Sequence, residues 1–207
     1  MSARARWAAV VLVLVVAGAV ALWPRGSDPR GSDPVGAGPP TRSAPDLGPL
    51  RERAGLAPCA DGSGGTPSAA PGGPAELRGL VLTCLGDGTP VDLAAALPGR
   101  ALVNFWATWC VPCQEELKVL DAYSREPGAV PVVTVLVESK EGDGLELLAK
   151  LGVRLPAIHD PDDAARGAFR TPPRLPVSYV VGGDGSLTEV TEPLVLESVA
   201  QVREVVG

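Results

Sequence analysis

The sequence predicts an α/β domain built around a central mixed β-sheet. Two continuous apolar runs, Ala101–Trp106 and Val130–Val137, are typical of strands that are buried on both faces. A helical pattern follows each run, and the chain then finishes with a short hairpin and a last helix. Strands that first alternate with helices and then form a hairpin indicate a sheet with both parallel and antiparallel neighbours, flanked by helices.

The composition fits one globular domain with accessory segments. The chain has 207 residues, of which 45% are hydrophobic and 20% are charged, and this length accommodates one ordinary core. The formal net charge is −6. Because binding to a phosphate backbone requires clustered positive charge, this balance argues against a DNA- or RNA-binding protein.

The N-terminal segment predicts a membrane anchor. Residues Trp7–Trp23 contain no charge, and a helix of this length spans roughly 26 Å, close to the hydrocarbon thickness of a bilayer. A tryptophan at each end suits the two membrane interfaces. The alternative is a cleaved signal peptide, because Ala19-Val20-Ala21 resembles a cleavage site. We favour the anchor, with residues 1–6 as a short cytoplasmic tail.

The cysteines indicate on which side of the membrane the rest of the chain lies. All four follow the apolar segment and fall into two pairs, which suits an oxidising compartment. We therefore expect a single-pass protein of the cell membrane with its domain on the extracytoplasmic side. Residues 24–47 are rich in Gly and Pro and predict a linker, and residues 48–207 contain the folded domain.

Within residues 48–207, each regular element is predicted from its own pattern. Apolar and β-branched runs predict strands at Leu80–Cys84, Val91–Leu97 (running into a short helix), Ala101–Trp106, Val130–Val137, Pro156–His159, Val177–Val181 and Leu187–Val190. Helical patterns predict helices at Leu47–Ala57, Val111–Ser124, Gly144–Leu151, Asp162–Phe169 and Leu196–Val206. Gly86-Asp87-Gly88 and Gly183-Asp184-Gly185 predict tight turns.

The segment Trp109-Cys110-Val111-Pro112-Cys113 follows a buried strand and opens a helix. A thiolate is the attacking species in disulfide exchange, and the partial positive charge and free N–H groups of a helix N-terminus stabilise it. We expect the Cys110 sulfur to be exposed and to attack, and Cys113, one turn deeper, to resolve the mixed disulfide. Pro112 suits the first turn, where no N–H is needed. The motif therefore predicts a redox-active dithiol.

Cys59 and Cys84 form the second pair and flank a Gly/Pro-rich loop. A bridge between them would close that loop and pin the preceding helix to the first strand, so we interpret them as a structural disulfide. One alternative is a second redox relay that accepts electrons from Cys110 and Cys113. Another is a zinc site with four cysteine ligands. We favour the disulfide and expect neither a metal nor a cofactor.

The residues VNFWATWCVPC, at Val103–Cys113, resemble the active-site segment of the thioredoxin superfamily, and specifically of its membrane-anchored TlpA/ResA-like branch. The resemblance covers roughly Leu80 to the C-terminus. It implies a thioredoxin-like fold with an N-terminal β-hairpin extension and a central insertion at about Val137–His159.

The resemblance also implies a cis-proline that faces the redox pair and precedes a strand. We assign it to Pro176, because the apolar strand that should follow is present there and is absent after Pro172 and Pro173. A cis X–Pro bond is rare enough to be a deliberate feature. The backbone of Leu175 would then be free to pair with an extended substrate.

The resemblance also bears on two further residues, Asn104 and Glu116. Thioredoxins carry a buried Asp where this chain has Asn104, which cannot accept a proton, so Glu116 becomes the candidate to serve the buried Cys113. The alternative for Glu116 is an ordinary solvated helix residue like Glu115. Trp109 should shield the thiol pair.

The resemblance implies an enzyme that reduces disulfides in secreted or membrane-bound proteins such as apocytochrome c. A CcdA-like membrane electron donor would reduce it again. One alternative is a DsbA-type oxidant that introduces disulfides, because the Val-Pro dipeptide does not determine the direction of electron flow. Another is a non-enzymatic module that binds peptides in the thioredoxin groove.

Overall fold

The structure is a computed structural model that describes residues 45–59, 73–97 and 99–207. The anchor predicted at residues 7–23, the tail before it and linker residues 24–44 lie outside the described residues. Among the residues that are described, no helix has the length and apolar character needed to cross a bilayer.

Seven strands form one mixed sheet. They are β1 (Val81–Cys84), β2 (Pro90–Asp92), β3 (Ala101–Trp106), β4 (Val132–Val137), β5 (Ala157–Asp160), β6 (Val177–Val181) and β7 (Leu187–Glu189). Their order across the sheet is β2-β1-β5-β4-β3-β6-β7. β4 lies parallel to both β3 and β5, whereas the remaining neighbours are antiparallel. The predicted mixed sheet is confirmed.

Helices pack on the sheet and connect its strands. They are α1 (Gly48–Ala54), α2 (Val111–Ser124), α3 (Glu141–Leu151), α4 (Ala164–Phe169) and α5 (Val199–Val206), with a short 3-10 turn at Ala75–Leu77. α1 ends at Gly55, whose φ of 56° lies in the left-handed region that favours glycine. α2 starts directly after Cys110 and is 14 residues long.

Strand β3 lies in the middle of the hydrophobic core. All six of its residues are buried, and because side chains alternate along a strand they contribute to both faces of the sheet. Leu102 and Trp106 pack in the cluster that also contains residues of α2. Val103 and Phe105 pack in the opposite cluster, where Phe105 makes an edge contact with Phe169. The continuous apolar run of β3 therefore reflects a strand covered on both sides.

The N-terminal hairpin and the central insertion are both present. β1 and β2 pair in antiparallel fashion, with Leu82 opposite Val91. The insertion contains α3 and delivers β5, which lies between β4 and β1. The insertion therefore joins the hairpin to the rest of the sheet.

Three predicted helix starts are wrong by two residues or more, and one of them is that of α4, which begins at Ala164 rather than at Asp162. α3 begins at Glu141 rather than at the predicted Gly144, although Gly142 argues against a helix at this point. A Cβ on Gly144 would lie 2.3 Å from Cδ2 of Leu136, so the glycine permits close packing of α3 on β4. The last helix begins after Ser198 rather than at Leu196, because Ser198 caps it.

The second cysteine pair attaches the N-terminal segment to the sheet. Cys59 and Cys84 form a disulfide, and both are buried. Arg51 of α1 adds a hydrogen bond from Nε to the carbonyl of Leu85, at 3.2 Å, and an ion pair with Glu141 of α3. The disulfide and the polar contacts of Arg51 therefore both hold the N-terminal segment against the rest of the domain.

We expect replacement of Cys59 and Cys84 by Ser to lower the free energy of unfolding by roughly 3.5 kcal/mol, because a bridge that closes a loop of this length restricts the unfolded chain. Urea denaturation of the double variant and the wild type, both with the other cysteine pair oxidised, measures the difference. Insulin reduction by the variant, compared at a temperature where both proteins are folded, should be unchanged. Lost turnover in a stable variant would instead support the relay.

Candidate active site

Cys110 and Cys113 lie at the junction of β3 and α2. They form a disulfide, and the Cys110 sulfur occupies the N-cap position of α2, where it accepts a hydrogen bond from the Cys113 N–H at 3.3 Å. A sulfur in this position can accept hydrogen bonds from the unpaired N–H groups of the first helical turn, and it lies at the positive end of the helix dipole. The geometry is therefore suited to stabilising a Cys110 thiolate once the disulfide is reduced.

The expected exposure of the Cys110 sulfur is wrong for this oxidised form. Cys110 is only 4% exposed, and Cys113 is fully buried. The two neighbours of Cys110 are instead at the surface, with Trp109 60% and Val111 68% exposed. Trp109 therefore presents its ring to solvent next to the disulfide, and its predicted shielding role stays a prediction.

The Leu175–Pro176 peptide bond is cis. Pro176 is buried and precedes Val177, the first residue of β6, which lies opposite Phe105 of β3. This register places Pro176 at the end of β3 from which the cysteine loop departs. The peptide bonds before Pro172 and Pro173 are not cis.

Arg174 holds this proline turn, and sequence reasoning missed it. Its NH1 group donates a hydrogen bond to the carbonyl of Pro176 at 3.1 Å, while its NH2 group pairs with Glu189 of β7. A second cis bond, Glu192–Pro193, was also not predicted. An arginine two residues before the proline carries no sequence signal of this role, because the contact requires the neighbouring strand.

Glu116 is a buried carboxyl rather than a solvated helix residue. It is 1% exposed, and its two oxygens accept hydrogen bonds from the Leu196 N–H at 2.8 Å and from Asn104 Nδ2 at 2.8 Å. Burial raises the pKa of Glu116 to about 7, although both hydrogen bonds act to lower it. A carboxyl with such a pKa exchanges protons near neutral pH.

Asn104 links Glu116 to the neighbouring strand. Its Nδ2 also donates to Ser178 Oγ at 3.0 Å, and Ser178 lies directly opposite Asn104 in the β3–β6 register. The Asn104 Oδ1 atom has no hydrogen-bond partner among the described residues. Ser178 was missed, although a small polar residue in an apolar strand is a detectable signal of a polar neighbour.

Asn104 can serve both protonation states of Glu116. The Nδ2 group donates to the carboxylate, and rotation of the amide would present Oδ1 as an acceptor to the protonated carboxyl and to the Ser178 hydroxyl. An aspartate at this position would place a second negative charge beside Glu116 instead. The asparagine adds no charge, so Glu116 is the titratable group among Asn104, Glu116 and Ser178.

The two disulfides lie in opposite core clusters. Cys110 and Cys113 belong to the cluster that contains α2, whereas Cys59 and Cys84 belong to the cluster on the other face of the sheet. β1 and β3 are three strand positions apart, which corresponds to roughly 14 Å. The zinc site with four cysteine ligands is therefore contradicted, and direct exchange between the pairs does not fit the folded domain.

The sequence is similar to those of known thiol-disulfide exchange proteins. The thiol:disulfide interchange protein CycY of Rhizobium leguminosarum bv. viciae is 33% identical over 119 residues, which cover 55% of this chain and 58% of that protein. The thiol-disulfide oxidoreductase ResA of Bacillus subtilis is 25% identical over 114 residues, which cover 54% of this chain and 63% of that protein. The matched part is thus less than two thirds of either relative.

A solved structure shares the fold. The secreted Mycobacterium tuberculosis disulfide oxidoreductase homologous to E. coli DsbE superposes with a TM-score of 0.56 at 24% identity, over 63% of this chain and 96% of that one. Residues 65–204 match the Redoxin family. This match covers more than half of the chain, and the protein therefore belongs to the Redoxin family and has a thioredoxin-like fold.

Proposed function

We propose that this protein is a thiol–disulfide oxidoreductase that reduces disulfides in other proteins. The observation that carries the proposal is the position of the Cys110 sulfur at the N-cap of α2, bonded to Cys113. The cis bond before Pro176 lies at the same end of β3. The names of the relatives CycY and ResA support the same chemistry.

The reaction transfers two electrons from the dithiol to the substrate. The Cys110 thiolate attacks a substrate disulfide, forms a mixed disulfide and releases one substrate sulfur as a thiolate, which takes up a proton. Cys113 then loses its proton and attacks the Cys110 sulfur. The second substrate thiol leaves, and the Cys110–Cys113 disulfide seen in the structure is the product.

Glu116 accepts the proton of Cys113 in this scheme. The two residues are three positions apart on α2, so they lie on the same face of the helix. Cys113 is fully buried, and its thiol therefore needs a nearby base before it can attack. A carboxyl whose pKa is raised to about 7 by burial is matched to that transfer.

The substrate is an extended protein segment in this proposal. Leu175 lies directly before the cis-proline and outside the paired residues of β6, so its backbone groups are available to pair with such a segment. Trp109 and Val111 supply exposed apolar surface on either side of Cys110. Secreted or membrane-bound thiol proteins such as apocytochrome c are the proposed substrates.

The cellular setting is also part of the proposal. The apolar segment Trp7–Trp23 would tether the domain in a single pass on the extracytoplasmic side of the cell membrane. A CcdA-like membrane protein with a dithiol would reduce the Cys110–Cys113 disulfide again. The linker at residues 24–47 would keep the domain off the bilayer surface.

Replacement of Cys110 by Ser should abolish insulin reduction, because it removes the attacking sulfur. The Cys113→Ser variant should accumulate mixed disulfides on Cys110, which non-reducing gels and peptide mass spectrometry detect. The variant that lacks Cys59 and Cys84 is the control and should remain active. Wild-type protein with no exchange activity would favour the peptide-binding module instead.

The reduction potential tests the direction of electron flow. We expect equilibration with glutathione buffers to give a value well below about −120 mV, the potential of a strong protein oxidant. The fraction of oxidised protein can be followed by alkylation and mass shift. A value near that of the strong oxidant would contradict the reductase and support the disulfide-introducing alternative.

Glu116 should make the oxidised protein less stable as the pH rises. Its folded pKa of about 7 lies above the ordinary value of 4.5, so the folded state binds more protons than the unfolded state between these values. Stability is therefore highest below the unfolded pKa and falls as the pH rises through the folded pKa, by roughly 3 kcal/mol in total.

Urea denaturation between about pH 4 and pH 8 measures this slope. Glu116→Gln should flatten it, while Glu115→Gln, a change at an exposed residue of the same helix, should leave it intact. Identical slopes in the wild type and the Glu116 variant would show that the buried carboxyl does not titrate in this range.

A further inference from the structure

The loop after β4 lies beside the loop that carries the cysteines. β3 and β4 are parallel, with Trp106 opposite Leu136, so their carboxyl ends meet at the same edge of the sheet. Thr108 follows β3 by two residues and precedes Cys110 by two. Ser139 follows β4 by two residues. These two short loops are therefore in register with each other.

Ser139 holds Thr108 through two contacts. Its Oγ accepts a hydrogen bond from the Thr108 backbone N–H at 3.0 Å and lies 3.1 Å from Thr108 Oγ1. On the other side, Nε2 of Gln114 in α2 donates to the Thr108 carbonyl at 3.0 Å. Every hydrogen-bonding group of Thr108 is thus engaged, which restricts the backbone that leads into Cys110.

Ser139 is itself held in place. Its carbonyl oxygen lies 3.0 Å from Nε2 of His159 in β5. The preceding residue, Glu138, has a φ of 47°, a left-handed conformation that is unfavourable for a residue with a side chain. The Glu138 carboxylate pairs with Arg166 of α4. These contacts hold the left-handed backbone conformation of Glu138, which would otherwise be unfavourable.

We propose that Ser139 is a positioning residue for disulfide exchange, which acts through Thr108 to keep the Cys110 sulfur at the N-terminus of α2. The proposal rests on the proposed function and adds a specific residue to it. Ser139 makes no contact with a sulfur among the described hydrogen bonds, so its effect on the reaction is indirect. Ser139 lies in the central insertion, so its contacts with Thr108 join the insertion to the cysteine loop.

Removal of the Ser139 hydroxyl would leave the Thr108 N–H without its partner. An N–H group that loses its acceptor seeks water or another acceptor, and the segment between β3 and α2 would shift accordingly. The Cys110 sulfur would then be less well aligned with the free N–H groups of α2. A weaker alignment raises the pH at which the thiolate forms and slows its attack.

Ser139→Ala is the direct test, with two readouts on the full chain. The first is the pH dependence of iodoacetamide alkylation of Cys110 in the reduced protein, identified by peptide mass spectrometry. The second is the rate of insulin reduction. We expect the alkylation midpoint to move to higher pH and insulin reduction to slow by about tenfold, the upper range for the loss of one hydrogen bond.

Matched variants separate positioning from general destabilisation. Ser139→Thr keeps the hydroxyl and should restore both readouts. Thr108→Val keeps the N–H bond to Ser139 and should show a smaller shift than Ser139→Ala. Ser124→Ala removes a half-buried hydroxyl at the far end of α2, which donates to the Asp121 carbonyl at 2.9 Å, and should leave both readouts unchanged.

An alkylation profile of Ser139→Ala that matches the wild type would overturn the positioning role, and so would equal effects of Ser139→Ala and Ser124→Ala. Because alkylation requires no protein substrate, it tests Ser139 even if insulin is not reduced. Absence of insulin reduction by the wild type would count against the proposed function alone. If Ser139→Ala does not fold, Ser139→Val takes its place, since it has the branched shape of Ser139→Thr without the hydroxyl that accepts from the Thr108 N–H: a wild-type midpoint in that variant overturns the role.

Discussion

The burial of β3 between two layers is the constraint on which the rest of the structure depends. Every side chain of this strand is covered, so its two neighbours, β4 and β6, are held in a single register. That register brings the ends of three chain segments to one edge of the sheet. The cysteine loop, the Ser139 loop and the cis-proline turn are neighbours because β3 cannot slip.

Strand β3 also places a polar side chain, Asn104, inside the hydrophobic core. Asn104 is the polar residue of an otherwise apolar run, and it lies between Glu116 and Ser178. A buried carboxyl destabilises a fold unless it is hydrogen-bonded or neutral. Glu116 satisfies the first condition through its two donors and approaches the second because its pKa is raised to about 7. In the proposed mechanism this carboxyl accepts the proton of Cys113, and burial adjusts its pKa toward that transfer.

The two disulfides have separate physical settings. The bond between Cys59 and Cys84 lies within the core on the face opposite α2, and the Cys59 sulfur is 3.2 Å from the Ala157 carbonyl of β5. The bond between Cys110 and Cys113 lies at a helix terminus, next to exposed residues. Both bonds are buried, and the difference between them is the helix N-terminus at Cys110, a position suited to stabilising a thiolate.

Much of the architecture follows from local pattern. The apolar run of β3, the Gly-Asp-Gly turns and the placement of Cys110 and Cys113 at a strand–helix junction are encoded by neighbours in the sequence. The order of elements and the position of this cysteine pair could therefore be predicted. The cis-proline could be assigned because an apolar strand follows Pro176. The start of α3 was predicted at Gly144 and lies at Glu141. Gly142 disfavours a helix in the local pattern, whereas the ion pair of Glu141 with Arg51 of α1 forms only in the folded protein.

Only the tertiary structure decided how the residues around the cysteines act together. The sequence marked Glu116 as a candidate, but its burial and its bonds to Asn104 and the Leu196 N–H arise from packing of α2 against the sheet and the last loop. No sequence pattern indicated the roles of Arg174 and Ser139, because their partners lie on other strands and loops. Periodicity and turn chemistry are properties of adjacent residues, whereas burial, register and hydrogen-bond partners depend on segments that meet only after the chain has folded.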